Sequence, residues 1–124
     1  MHQQIRTVPA QSPADLGAFL KVLRDANINI IAAGGGDVER GGEFAFAVED
    51  GGYDAAMQAL TDAGYKPRLV DVDHELLPDV PGALHGFVTK VTALNKARNW
   101  VIWDVSVGSA QGGKVLVQIY SKPA

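Results

Sequence analysis

The stretch Pro13-Ala14-Asp15-Leu16-Gly17-Ala18-Phe19-Leu20 is answered 68 positions later by Pro81-Gly82-Ala83-Leu84-His85-Gly86-Phe87-Val88. At that offset Pro13 falls on Pro81, Leu16 on Leu84, Phe19 on Phe87, Leu20 on Val88 and Leu23 on Val91. Matched prolines followed by matched apolar positions imply a duplicated unit, and duplicated small α/β units commonly place a ligand site at their junction. Leu16, Phe19, Leu20 and Leu23 recur at i, i+3, i+4 and i+7, the stripe of a helix that buries one face. Ser12 before Pro13 suits an N-cap followed by proline at the first helical position.

Working outward from the first copy, Gln4 to Val8 alternates polar and apolar residues as a half-buried strand does. Beyond the helix, Ile28 to Ala33 reads as a strand that runs into Gly34-Gly35-Gly36 and a charged hairpin loop. The return strand sets Phe44, Phe46 and Val48 on one face and Ala45 and Ala47 on the other. Tyr53, Ala56, Met57 and Leu60 mark a second helix, which ends at Gly64, a residue suited to a left-handed C-terminal position. Leu69 to Leu77 is long enough for two strands in continuation, one closing the first unit and one opening the second.

In the second copy Trp100 to Val107 is a strand, with Val101, Trp103, Val105 and Val107 along one side. Gly112-Gly113 starts the return through Val115, Val117 and Ile119, which map onto Phe44, Phe46 and Val48 at an offset of 71. The larger offset implies residues inserted near Asn95 to Asn99 and removed from the hairpin. The resulting order is βαββαβ over residues 1–72 followed by a truncated βαββ over 73–124. It predicts an α+β, ferredoxin-like fold, a mostly antiparallel sheet with its helices on one face. Strand alternation then puts Trp100, Ile102, Leu116 and Tyr120 on the helix-free face. An apolar patch of that kind predicts a homodimer, through this face or an adjoining sheet edge.

Composition narrows the function. With 124 residues, 47% hydrophobic and 20% charged, the chain has the make-up of a folded globular protein of one body or two small units. A net charge of −3, with eleven basic residues scattered along the chain, gives no footprint for nucleic acid. Cysteine is absent, which excludes disulfides, thiolate metal sites and cysteine nucleophiles. No signal-peptide core and no membrane-spanning apolar run is present, so a cytoplasmic protein with no membrane partner is expected.

The run Asp79-Val80-Pro81-Gly82-Ala83-Leu84, followed by Phe87, Val88 and Val91, resembles the opening of an ACT domain. Leu16 through Asn27-Ile28-Asn29-Ile30 is similar to the same region of that family, and the resemblance spans nearly the whole chain as a tandem pair. It implies a small, non-catalytic regulatory module without a cofactor, binding an amino acid or similar effector at the interface between copies, around the loop from first strand to first helix. On this resemblance Asp79, Val80, Pro81, Gly82, Ala83 and Leu84 form one wall of the site, with Ser12 at the matching loop of the first copy. Asn29 would hydrogen-bond the ligand's amino or carboxylate group. The physics agrees, because a helix start offers unpaired N–H groups and a positive dipole end to a carboxylate, and Gly82 lets a ligand come close to the backbone. The first copy has Gln11-Ser12-Pro13-Ala14 in that loop and the second has Ile102 where Asn29 aligns, so one competent site per chain, or one completed across a dimer, is expected in place of two equivalent sites. A homodimer and a partner enzyme are the implied assemblies.

Two other readings remain at this stage. A metal-dependent lyase or dioxygenase of paired β-α-β units would draw ligands from His2, His74, His85, Glu43 and Glu75. A purely structural dimerisation module would need no ligand. Asp71, Asp73 and Glu75 share a strand face whose oxygens could hold a hard cation, and a solvated face is the better reading. His74 points the other way as a packed or hydrogen-bonded histidine, and His85 reads as a surface residue near the loop. Gly34-Gly35-Gly36 lacks the Lys-Ser/Thr of a phosphate loop and reads as a strand end.

Overall fold

The computed structural model of the protein describes residues 2–9 and 16–124. Its elements run β1 (His2–Thr7), α1 (Leu16–Asp25), β2 (Ile30–Gly35), a single 3-10 turn (Val38–Arg40), β3 (Phe44–Val48), α2 (Tyr53–Asp62), β4 (Arg68–Pro78), α3 (Ala83–Arg98), β5 (Trp100–Gln111) and β6 (Lys114–Pro123). The strands close into a barrel in the order β1-β3-β2-β5-β6-β4, which corrects the expected open, ferredoxin-like sheet with helices on one face. Closure removes the exposed edges that an open sheet has to protect. The chain divides into two compact units, Gln3–Val70 and His2 with Asp71–Ala124.

In the Gln3–Val70 unit, β3 is the central strand. It pairs antiparallel with β1, Ile5 opposite Phe46 and Thr7 opposite Phe44, and antiparallel with β2, Ala33 opposite Phe46. Ile5, Phe44, Phe46 and Val48 turn one face to Phe19 and Leu23 of α1 and Ala56 and Leu60 of α2. Phe19 is the hub: its ring meets Tyr65 edge-on at 5.0 Å and Phe44 at 5.7 Å, the arrangement that aromatic quadrupoles favour. Both helices end on left-handed residues, Asn27 at φ 58° and Gly64 at φ 92°. In each case the following amide reaches back to a carbonyl of the last turn, Ile28 to Leu23 and Tyr65 to Leu60. Between β2 and β3 the chain crosses itself so tightly that a Cβ on Gly42 would lie 1.8 Å from the Gly36 carbonyl oxygen.

In the other unit, β6 is central between β4 and β5, both antiparallel to it. Phe87 and Val91 of α3 pack on Leu77, Val117 and Ile119. β4 is one continuous strand of 11 residues where two in continuation were expected. α3 has 16 residues and runs on through Asn95 to Arg98. Its last turn is tied down by Asn95, whose amide donates to Ser121 Oγ at 2.9 Å while its carbonyl oxygen accepts from Arg98 Nη2 at 2.6 Å.

The helix-free strand faces are buried, not exposed. Gln4 and Arg6 alternate with Ile5 and are 0% and 1% exposed, and Leu116, Gln118 and Tyr120 alternate with Val117 and Ile119 and are buried too. The expected patch of Trp100, Ile102, Leu116 and Tyr120 therefore does not exist as a unit. Ile102 joins the α3 cluster, and a bulge between Ile102 and Asp104 breaks the simple alternation along β5. What β5 exposes is Trp100, Val101, Trp103, Val105 and Val107, with Trp103 58% exposed.

Candidate functional site

Residues 79–82 form an exposed turn between β4 and α3, and Ala83 and Leu84 open the helix. Asp79 N donates to the Gly113 carbonyl and Val80 N to that of Pro78, while Gly82, at φ 86°, leads into Ala83, the first residue of α3. No side chain caps the helix start, and a Cβ on Gly82 would meet nothing within 4 Å. Ala83 N donates to the Val80 carbonyl at 3.3 Å and Pro81 has no N–H, so the backbone donors left approachable in this segment are those of Gly82 and Leu84. Asn29 belongs to the Gln3–Val70 unit, at the edge of a shallow depression of about 400 Å³ floored by Leu20, Leu23 and Ile28. Its amide donates to Glu49 Oε1 at 2.9 Å. Ser12 lies outside the described residues, as do Pro13 and Ala14.

Four of the residues considered for metal, Glu43, Asp73, His2 and His74, have other engagements. Glu43 is taken by two guanidinium groups and Asp73 accepts from Arg98 Nη2 at 3.4 Å. His74 stacks on His2 with ring centroids 3.7 Å apart, and its Nδ1 lies 3.3 Å from Gln118 Nε2. Among the described residues no three His, Asp or Glu side chains gather as a ligand set.

A second feature was not foreseen from the sequence. Within the Gln3–Val70 unit a cleft of about 500 Å³ opens where β1 ends, β3 begins and the α2–β4 turn passes. Arg6, Thr7, Glu43, Tyr65, Lys66 and Arg68 line it. Arg6 donates from Nε to Glu43 Oε1 at 2.6 Å and from Nη1 to Gln4 Oε1 at 2.9 Å. Arg68 Nη2 reaches Glu43 Oε2 at 2.9 Å and Oε1 at 3.1 Å. Burial pushes the Glu43 carboxyl up, but the hydrogen bonds and charges of Arg6 and Arg68 outweigh it and hold the group below its ordinary value. Thr7 Oγ1 is buried beside them with no hydrogen-bond partner among the described residues. A polar-apolar alternation in β1 was the available signal for Arg6, yet it reads equally as a solvated face.

No family model matches the chain. No curated protein matches it in sequence either. Among solved structures it is similar to protein BT0572 from Bacteroides thetaiotaomicron, at 26% identity and a TM-score of 0.70, over 97% of this chain and 78% of that one. It is also similar to the ligand-free regulatory subunit of aspartate kinase from Thermus thermophilus, at 17% identity and a TM-score of 0.60, over 95% of this chain and 82% of that one. The regulatory subunit of aspartate kinase from Thermus flavus gives 19% identity and a TM-score of 0.57, over 94% and 81%. At these last two identities the likeness is one of fold. Among the described residues no helix is long and apolar enough to cross a membrane.

Proposed function

We propose that this chain is a non-catalytic regulatory module that binds an amino acid or a related small carboxylate and acts on a partner enzyme in the cytoplasm. The observation that carries the reading is the near full-length fold likeness to proteins named as regulatory subunits of aspartate kinase. In this proposal residues 1–72 and 73–124 are two ACT-like units, the second truncated. The effector's carboxylate is held at the Asp79-Val80-Pro81-Gly82-Ala83-Leu84 turn by the N–H groups of Gly82 and Leu84, where the helix dipole favours negative charge. On the resemblance, Asn29 and Ser12, both in the first unit, are further candidate effector contacts. The apolar residues that β5 exposes, Val101 and Trp103 foremost, support a homodimer.

Regulation follows if the effector binds one arrangement of the assembly better than another and shifts the population toward it. A thermal-shift screen of the twenty amino acids at millimolar concentration, on the full chain, tests the reading. Stabilisation by a subset of them is the expected outcome, because a ligand that binds the folded state raises its stability by mass action. A flat response to all amino acids and small monocarboxylates refutes it. Sedimentation analysis across concentration reads the dimer separately.

A further inference from the structure

We propose that the cleft framed by Arg6, Lys66 and Arg68 binds a small dianionic oxyanion, a phosphate group or a dicarboxylate, at a site separate from the α3 turn. Its volume, about 500 Å³, lies in the range of small-molecule sites. Three cationic side chains line it against one carboxylate, Glu43, so the lining carries two positive charges in excess. Glu43 receives three hydrogen bonds from the two arginines, which makes it a brace that fixes both guanidinium groups against the cleft wall. Pre-set guanidinium forks suit the oxygens of a phosphate or a carboxylate better than a mobile point charge does.

Thr7 is the independent observation. Thr7 belongs to the cleft lining, is 2% exposed, and leaves its hydroxyl without a partner among the described residues. A buried hydroxyl in that state is costly unless something satisfies it, and an oxyanion in the cleft is an acceptor of the right kind. The same lining disfavours an α-amino acid. An incoming ammonium would face Lys66 and two arginines, and the one lining carboxylate is already engaged by both guanidiniums. Ligand class therefore separates this site from the effector turn.

Isothermal titration calorimetry on the full chain at pH 8 and fixed ionic strength, with inorganic phosphate and succinate as separate probes, tests the proposal. Saturable binding of at least one is expected, and which one binds distinguishes a phosphate from a dicarboxylate site. Arg68→Gln and Lys66→Gln, both at exposed side chains, should each weaken it about tenfold, since each removes one charged contact. Gly82→Ala, at the α3 turn, should leave it unchanged. Backbone amide shifts on titration should be largest at Thr7, Val8, Tyr65 and Lys66. Absence of binding by either probe at about 10 mM, a weak-site concentration, overturns the proposal, as does binding unchanged in both variants. If an amino acid binds while phosphate and succinate do not, the cleft proposal fails and the regulatory reading stands. If the anions bind and no amino acid or small monocarboxylate does, the reverse holds.

Discussion

Replacing Glu43 by Gln removes one charge at the centre of the Arg6–Glu43–Arg68 cluster while keeping the shape and one acceptor oxygen. Arg6 is 1% exposed, so its side of the cluster is a buried ion pair, whereas Arg68 has a side chain 47% exposed. Stripping a buried charge of its partner costs about 3–5 kcal/mol. Here Arg6 keeps its bond to Gln4, the new amide still accepts one bond, and the Glu43 side chain is itself 25% exposed. Those three facts reduce the expected loss to about 2 kcal/mol, the scale of one charge-assisted hydrogen bond. Arg68→Gln, on the solvent side, should cost less than about 1 kcal/mol. Urea denaturation at pH 7, followed by far-UV circular dichroism, measures both. The pH dependence gives a second check. The folded-state value of Glu43 is depressed, so its contribution is present above the ordinary 4.5 and is lost as pH falls through the folded value. The gap between the native chain and Glu43→Gln should therefore close on acidification, because protonated glutamate and glutamine are then alike in charge. A Glu43→Gln chain within about 0.5 kcal/mol of the native one at pH 7, or a gap that persists at low pH, refutes the reasoning.

Gly42→Ala should be severely destabilising and reduce the yield of folded protein, since its Cβ would sit 1.8 Å from a backbone oxygen that no rotamer change can move aside; a native-like thermal midpoint would contradict this. Asn95→Ala should cost about 1–3 kcal/mol by breaking the buried bond to Ser121, and a double-mutant cycle with Ser121→Ala should show coupling between the two. Gly82→Ala should cost about 1–2 kcal/mol for its φ of 86° alone, the surrounding space being open. The same variant should lose much of any amino-acid-induced thermal shift, and retention of the full shift would remove the α3 turn from the effector site.

The local elements were legible because their determinants are local. Phe19 and Leu23, read from a helical stripe, are buried under β3, and Gly64 and Gly112-Gly113 turn the chain where their positive φ values are needed. The closure of the strands was not legible, because Gln4 and Arg6 alternate with Ile5 as any half-solvated strand would. Only a partner for their polar atoms distinguishes burial from exposure, and that partner, for Arg6, is Glu43, 37 residues away. The bulge at Trp103 had the same effect on β5, since one extra residue reassigns the faces beyond it. The cleft needed three separated segments, residues 6–8, 43 and 64–68, to converge, and no spacing in the sequence announces such a meeting.

Both tryptophans of the chain, Trp100 and Trp103, sit on β5, each beneath a cation: Arg98 is 4.3 Å from the ring of Trp100 and Lys122 is 3.9 Å from that of Trp103. Intrinsic tryptophan emission therefore originates wholly in the unit that holds Asp71–Ala124. Compared with a whole-chain signal during denaturation, it becomes a built-in meter of cooperativity. Coincident curves would mean that the two units melt as one, and separated curves would give each its own stability without the introduction of any label.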